Sequence, residues 1–198
     1  MQSYNHMRYE PEHKAETRKR ILKDASRQVR RAGLSGSGVA RVMRASGLTH
    51  GGFYKHFRGK NDLLVEAISE AFRQRGAEVE RIAAYAAPGE EWKAIINWYL
   101  SEEHCAHPET GCPIAALASE LSRMDAKTKK RVAECLGAHR AGFLRLLPGE
   151  RPADREKAFS IIIPAMLGAV QIARLVPDPD MRKEVLKNMR EFLLRSFQ

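Results

Sequence analysis

The chain has 198 residues, 43% of them hydrophobic, and a formal net charge of +10. That size is enough to bury a core without metals or disulfides, and the three cysteines, Cys105, Cys112 and Cys135, form neither an even disulfide set nor a paired metal spacing. No apolar run approaches the roughly 20 residues of a membrane span, and residues 1–16 are polar where a signal peptide needs an apolar stretch, so a cytoplasmic protein with no membrane partner is expected.

The charge is concentrated. Residues 1–60 hold fourteen Lys/Arg against four Asp/Glu, a net +10, whereas the other 138 residues hold twenty of each. All of the excess sits in the first third of the chain, the electrostatic footprint of a polyanionic partner.

Helical periodicity runs through nearly the whole chain, which predicts an all-α fold of about nine helices. In residues 14–31, Ile21, Leu22, Ala25 and Val29 recur at spacings of three and four, and Gly33 supplies a stop. Val39, Val42 and Met43 form a short second stripe behind Ser37, a candidate N-cap, and Gly47 can end it in the left-handed conformation. Thr49 is a candidate N-cap for a third helix, with Leu48 stapled onto Phe53 and with Phe53 and Phe57 on its buried face. From Lys60, Asn61 and Asp62 a long helix runs to about residue 87, and it is expected to be the only element touching both halves of the molecule. Further helices are predicted over 91–105, 113–123, 125–147, 153–176 with an interruption at Pro164, and 180–197.

Residues 37–57 thus read as a helix-turn-helix. Its second helix must enter the major groove with polar groups exposed early, N-terminal amides near phosphates and an apolar face behind, and residues 49–56 have that arrangement. Gly51 and Gly52 each cost up to about 1 kcal/mol of helix propensity, a poor choice unless something such as DNA must approach the backbone.

The stretch Gly33 to Leu64, GLSGSGVARVMRASGLTHGGFYKHFRGKNDLL, resembles the DNA-binding domain of the TetR (tetracycline-repressor type) family. The resemblance covers roughly residues 14–66, and its most specific block is Gly47 to Phe57 followed by Lys60. Met43 stands where the family usually has a small residue, which implies altered packing against the recognition helix. Beyond this domain the resemblance is one of helix count and order. It implies that Tyr54 and Lys55 contact phosphates and bases and that Lys60 contacts a phosphate. Ser37, Arg41, Arg44, Thr49, His50, Gly51, Gly52 and His56 complete the expected DNA-binding set.

The resemblance further implies a division into residues 1–60, an N-terminal arm and DNA-binding domain, and residues 61–198, a helical effector-binding and dimerisation domain. Residues 153–176 are apolar around most of the circumference, more than one subunit should expose. A homodimer through 153–176 and 180–197, reading a palindromic operator in double-stranded DNA, is therefore expected. Trp92, Ile96, Tyr99, Cys112, Ala116, Ser119, Phe143 and Met166 are the candidate lining of a small-molecule effector pocket. Cys112, between Gly111 and Pro113 at a helix start where the dipole favours a thiolate, is a candidate sensor of thiol-reactive effectors of the kind some family members detect.

His104, Cys105, His107 and Cys112 match no closed metal site, so neither metal nor cofactor is expected. An enzyme using Cys112 as nucleophile with His104, His107 or His139 as base lacks an orienting partner or a recognisable motif, and no catalytic residue is assigned. A helical small-molecule binding protein with a non-functional helix-turn-helix is the other alternative, and the intact polar face of residues 49–56 and the local charge argue against it.

Overall fold

The structure, a computed structural model, describes the backbone of residues 6–197 and the side chains of residues 12–197 apart from His50. The described residues form nine α-helices and one 3₁₀ helix: α1 (His6–Ala32), α2 (Val39–Ala45), the 3₁₀ segment (His50–Lys55), α3 (Lys60–Ala83), α4 (Glu91–Tyr99), α5 (Glu102–Ala106), α6 (Pro113–Leu121), α7 (Ala126–Leu144), α8 (Pro152–Leu175) and α9 (Pro179–Ser196).

Several element boundaries differ from expectation for identifiable reasons. The predicted helix over 91–105 breaks after Tyr99 because the Ser101 hydroxyl accepts a hydrogen bond from His104 N at 3.1 Å and starts α5 anew. Ser37 does not cap α2; Gly38 holds that position, and the fully buried Ser37 hydroxyl donates instead to the Gly33 carbonyl at 2.6 Å. The third helix is 3₁₀ rather than α, as expected of a six-residue segment with two adjacent glycines, and Thr49 at its N-cap makes no side-chain capping bond. α8 is not interrupted at Pro164. The ring lies on an exposed side, so the only helical partner lost is that of the Ser160 carbonyl, where water can substitute.

The turn between α2 and the 3₁₀ segment follows the sequence reading. Gly47 has φ +71, Leu48 N donates to Met43 O at 2.8 Å and Gly47 N to Arg44 O at 3.0 Å. Those paired bonds are a Schellman ending, which requires a residue tolerant of the left-handed region.

Two buried clusters organise the chain. The first joins Ile21, Ala25 and Val29 of α1, Val42 and Met43 of α2, Phe53, Phe57 and the start of α3 with Leu117 and Leu121 of α6 and Val132 of α7. The second joins Val79 and Ala83 of α3, α4, Phe143, α8, and Leu186 and Leu193 of α9. α3 belongs to both, as expected, but it is not the sole bridge. α6 plants Leu117 and Leu121 in the first cluster, while Cys112 at its N-cap packs on the second. The break at residue 60 in sequence is thus overlaid in space by side chains from α3, α6 and α7.

α8 also corrects the expectation that no segment is apolar enough for a bilayer, since an 18-residue window within it has a mean hydropathy of 1.7. Helix length and scattered polar groups such as Gln171 hid this in a search for uninterrupted runs. Here α8 is built into the bundle: the Gln171 amide donates to the Ala115 carbonyl of α6 at 2.9 Å, and Arg174 donates to the Cys105 and His104 carbonyls at the end of α5.

Candidate nucleic-acid interface and effector cavity

The 3₁₀ segment is held by its inner face. Phe53 and Phe57 are 1% and 3% exposed and stack with ring centroids 5.6 Å apart, over a Met43 that is itself buried. Arg18 of α1 fastens this unit: its guanidinium lies 5.0 Å from the Phe57 ring centroid, donates to the His56 carbonyl at 3.4 Å and pairs with Glu66 of α3 at 2.6 Å. Nothing in the sequence marked Arg18, because the residues it joins are up to 48 positions apart.

The outer face presents Tyr54, 72% exposed, with Thr49, Gly51 and Lys55 beside it in the segment. Arg41 and Arg44 of α2 and Lys60 at the start of α3 are also exposed, and Gly52 is half-buried. Two expected contacts are not brought to this face. Ser37 is fully buried, and His56 is half-buried with a buried Nδ1 that has no partner. Burial, reinforced by Lys14, Arg18 and Lys55, pulls the His56 imidazole below its ordinary value, which keeps it neutral at neutral pH. The side chain of His50 lies outside the described residues.

The glycines are informative. Neither Gly51 nor Gly52 has a positive φ. A Cβ on Gly51 would meet nothing within 4 Å, and one on Gly52 would make only ordinary contact, 3.8 Å from Met43 Cε and Thr49 Oγ1. Among the described residues, neither backbone strain nor crowding accounts for glycine at these two positions.

A second feature lies behind this domain: an apolar cavity of about 180 Å³ bounded by Phe72 and Arg75 of α3, Tyr99 of α4, Cys112, His139 and Phe143 of α7, and Phe159, Ile163 and Met166 of α8. A wider groove between α3 and α7, about 520 Å³, lies beside it and shares Phe72 and His139 in its lining. Of the candidate lining residues, Tyr99, Cys112, Phe143 and Met166 border the cavity. Trp92 and Ile96 are buried in the second cluster instead, Ala116 packs on the first, and Ser119 is exposed. The reason is geometric: only Tyr99 at the end of α4 and Cys112 and Ile114 at the start of α6 reach the cavity from these segments, while Ile96 and Ala116, one turn away from Tyr99 and Cys112, pack into the buried clusters.

Arg75 was absent from the sequence reading because an arginine in an amphipathic helix is normally a surface residue. Here it is 3% exposed, with its guanidinium 3.9 Å from the Trp98 ring centroid and 4.8 Å from that of Tyr99. Burial pushes the Tyr99 phenol well above its ordinary value. His104 is pulled down to about 3, by burial first and then by Arg75, and its Nδ1–H donates to the Tyr99 carbonyl at 2.7 Å. Burial and then Arg75 likewise lower His139.

A second buried arginine links the two features. Arg30 of α1, 3% exposed, donates from Nε to Ser26 O at 3.0 Å, from Nη1 to Gly111 O at 3.1 Å and from Nη2 to Gln74 Oε1 at 2.7 Å. Burial pulls it down to about 10, which leaves it charged at neutral pH. Its two distant acceptors are the chain neighbours of Cys112 and Arg75. Nearby, the Glu120 carboxylate of α6 accepts from Leu34 N at 3.0 Å, a second tie between α6 and the end of α1.

Comparison with known proteins bears on the same two regions. Residues 21–67 match the model of the bacterial regulatory proteins, tetR family. Over 111 residues the chain is 31% identical to the HTH-type transcriptional regulator LmrA of Bacillus subtilis (strain 168), a match spanning 54% of this chain and 58% of that relative. Among solved structures, a TetR transcriptional regulator from Chloroflexus aurantiacus J-10-FL superposes with a TM-score of 0.72 at 22% identity, covering 93% of this chain and 97% of that one. A TetR-family regulator from Cytophaga hutchinsonii gives 0.73 at 17% identity over 92% and 95%. Reduced NemR of E. coli gives 0.71 at 16% identity over 91% and 96%. At such identities these three speak to the fold alone, and the fold they share extends through all the helices that follow the matched domain. Residues 21–67 thus match the DNA-binding domain model of the TetR family of bacterial regulatory proteins, and the whole chain shares the fold of solved regulators that carry that family's name.

Proposed function

We propose that this protein is a cytoplasmic, homodimeric transcriptional repressor that binds a palindromic operator through the 3₁₀ segment and α2 and leaves it when an effector enters the cavity. The observation that carries the reading is the outward face of Thr49, Gly51, Tyr54 and Lys55, flanked by Arg41, Arg44 and Lys60, on the part of the chain that holds all the excess positive charge. Dimerisation is supported by large apolar side chains left uncovered on the last two helices: Ile161, Ile172 and Leu175 of α8, and Met181 and Phe192 of α9, the most open being Leu175 at 76%. Pairing through that face would set two reading segments about 34–36 Å apart, one turn of B-DNA.

The test is fluorescence anisotropy on operator duplex selected from a random library. Affinity is expected to fall roughly a thousandfold between 50 and 200 mM salt if about six phosphates are neutralised. Tyr54→Ala with Lys55→Ala should abolish the footprint; an unchanged footprint removes the segment from the reading. A thiol-reactive effector is a second reading, favoured by Cys112 standing at the α6 N-cap on the cavity wall. Equal operator release by a mild electrophile from the wild type and from Cys112→Ser, with Cys105 and Cys135 replaced in both, would exclude it.

A further inference from the structure

Charge inside the cavity is unbalanced. Its wall carries two guanidinium groups, those of Arg75 and Arg140, and no carboxylate. Arg140 has its own counter-ion in Glu156 and lies over the Phe159 ring. Arg75 has none: among the described residues it makes no hydrogen bond or ion pair, and its Nη1 is buried without a partner. The nearby carboxylate Glu78 is held by Arg81 at 2.7 Å. The Tyr99 hydroxyl, on the same wall, is also buried, with no nitrogen or oxygen partner and only the Cys112 thiol beside it.

A buried unpaired cation is among the most costly groups a fold can carry, and an arginine cannot escape by losing its proton at neutral pH. Stacking on Trp98 and Tyr99 offsets part of that cost and fixes the plane of the guanidinium, but leaves its in-plane donors free. A planar fork of free donors next to a phenol whose one polar neighbour is a thiol, a weak partner, matches a carboxylate, which can take two bonds from the one and a third from the other. The rest of the wall is aromatic and aliphatic, from Phe72, Phe143, Phe159, Ile163 and Met166. Its size limits the guest, since a cavity of about 150 Å³ accommodates benzene and this one has about 180 Å³.

We propose that the cavity binds a small monocarboxylate with a compact apolar body, its carboxylate on the Arg75 guanidinium and the Tyr99 hydroxyl. This deepens the effector-site reading above and rests on it. Ring and chain acids share the chemistry, so benzoate and hexanoate are used as separate probes, each with its neutral amide, benzamide and hexanamide, as control.

Isothermal titration calorimetry on the full DNA-free protein is expected to show at least one acid binding about tenfold or more tighter than its amide. Arg75→Met should lose that preference, bringing the acid to the level of the amide, and Tyr99→Phe should weaken the acid several-fold while leaving the amide little changed. Arg75→Met removes an unpaired buried charge and is expected to unfold at no lower temperature than the wild type, and Arg75→Lys, which keeps the charge, should retain part of the preference. Amides binding as well as acids, neither acid binding, or Arg75→Met keeping the acid preference would each overturn the assignment. Operator release by the bound acid is measured separately. An acid that binds through Arg75 but leaves DNA binding untouched would sink the effector role while upholding the carboxylate site.

Discussion

Replacing Gly51 and Gly52 together by alanine should make the protein more stable and worse at holding DNA, an unusual pairing of effects. Neither residue has a positive φ, and added methyl groups would meet open space at 51 and ordinary contacts 3.8 Å away at 52. A glycine-to-alanine change at a compatible position gains about 0.4–1 kcal/mol by restricting the unfolded chain, so the pair should gain roughly 1–2 kcal/mol. For a chain of this length that raises the melting temperature by about 2–8 °C. If the glycines exist so that phosphate can reach the backbone, the two methyl groups hold it away. Losing even one charge-assisted contact of about 1.5–3 kcal/mol weakens binding roughly ten- to a hundredfold. Calorimetric melting and operator anisotropy on the same preparation read both effects. A raised melting temperature with unchanged affinity would refute the close-approach argument, and a lowered one would refute the reading that these positions are uncrowded.

Burial of His104 predicts an acid-side loss of stability. Its folded value near 3 lies below the ordinary 6.5, so the unfolded state binds the extra proton, and stability is full above about pH 6.5 and declines as pH falls towards 3. His104→Asn, which keeps a donor for the Tyr99 carbonyl, should remove about 2–3 kcal/mol of the difference between urea unfolding at pH 7.5 and at pH 4.5; an unchanged difference contradicts the assignment. Leu175→Glu with Phe192→Glu should convert a dimer to monomer in sedimentation at micromolar concentration, with little change in helical circular dichroism; an unaltered dimer places the interface elsewhere. Lys60→Ala should weaken binding to all duplexes alike and flatten the salt slope by about one, and a change in site preference would instead make Lys60 a base-reading residue.

What the sequence made legible follows from where side-chain periodicity carries information. The order of helices, the Gly47 turn and the burial of Phe53 and Phe57 all come from local patterns, and local patterns persist in the folded chain. The outward polar face of residues 41–60 was legible for the same reason, except at Ser37 and His56, whose polarity suggested exposure while the Gly33 carbonyl claimed the first and the fold closed over much of the second. The cavity was half legible. Tyr99, Cys112, Phe143 and Met166 come from four segments, and nothing local tells which apolar residues on those segments face a common void. Arg75 and Arg30 were invisible for a stronger reason: composition places arginine at the surface, and only long-range packing, such as Arg30 meeting Gly111 across 81 positions, puts it inside.

Arg30 carries the last prediction. An effector shifts DNA affinity only if it binds the DNA-competent and incompetent states unequally, and typical couplings are about 1–3 kcal/mol. α3 alone could transmit a tilt from Arg75 to Lys60, but Arg30 offers a second connection whose strength can be judged. It belongs to the helix that packs behind the reading segment, and it grips Gly111 and Gln74, the residues preceding Cys112 and Arg75. Displacing either acceptor out of hydrogen-bond range costs about 1.5–3 kcal/mol for a charged donor, which by itself matches the coupling required. Arg30→Met should therefore leave benzoate affinity within about threefold while lowering the ratio of operator Kd with and without saturating benzoate from about tenfold to about threefold or less. The same variant should lose roughly 2–4 kcal/mol of stability, because Gly111 O and Gln74 lose their buried partner. A folded Arg30→Met protein that keeps the wild-type ratio would show that the signal travels through α3 without this bridge.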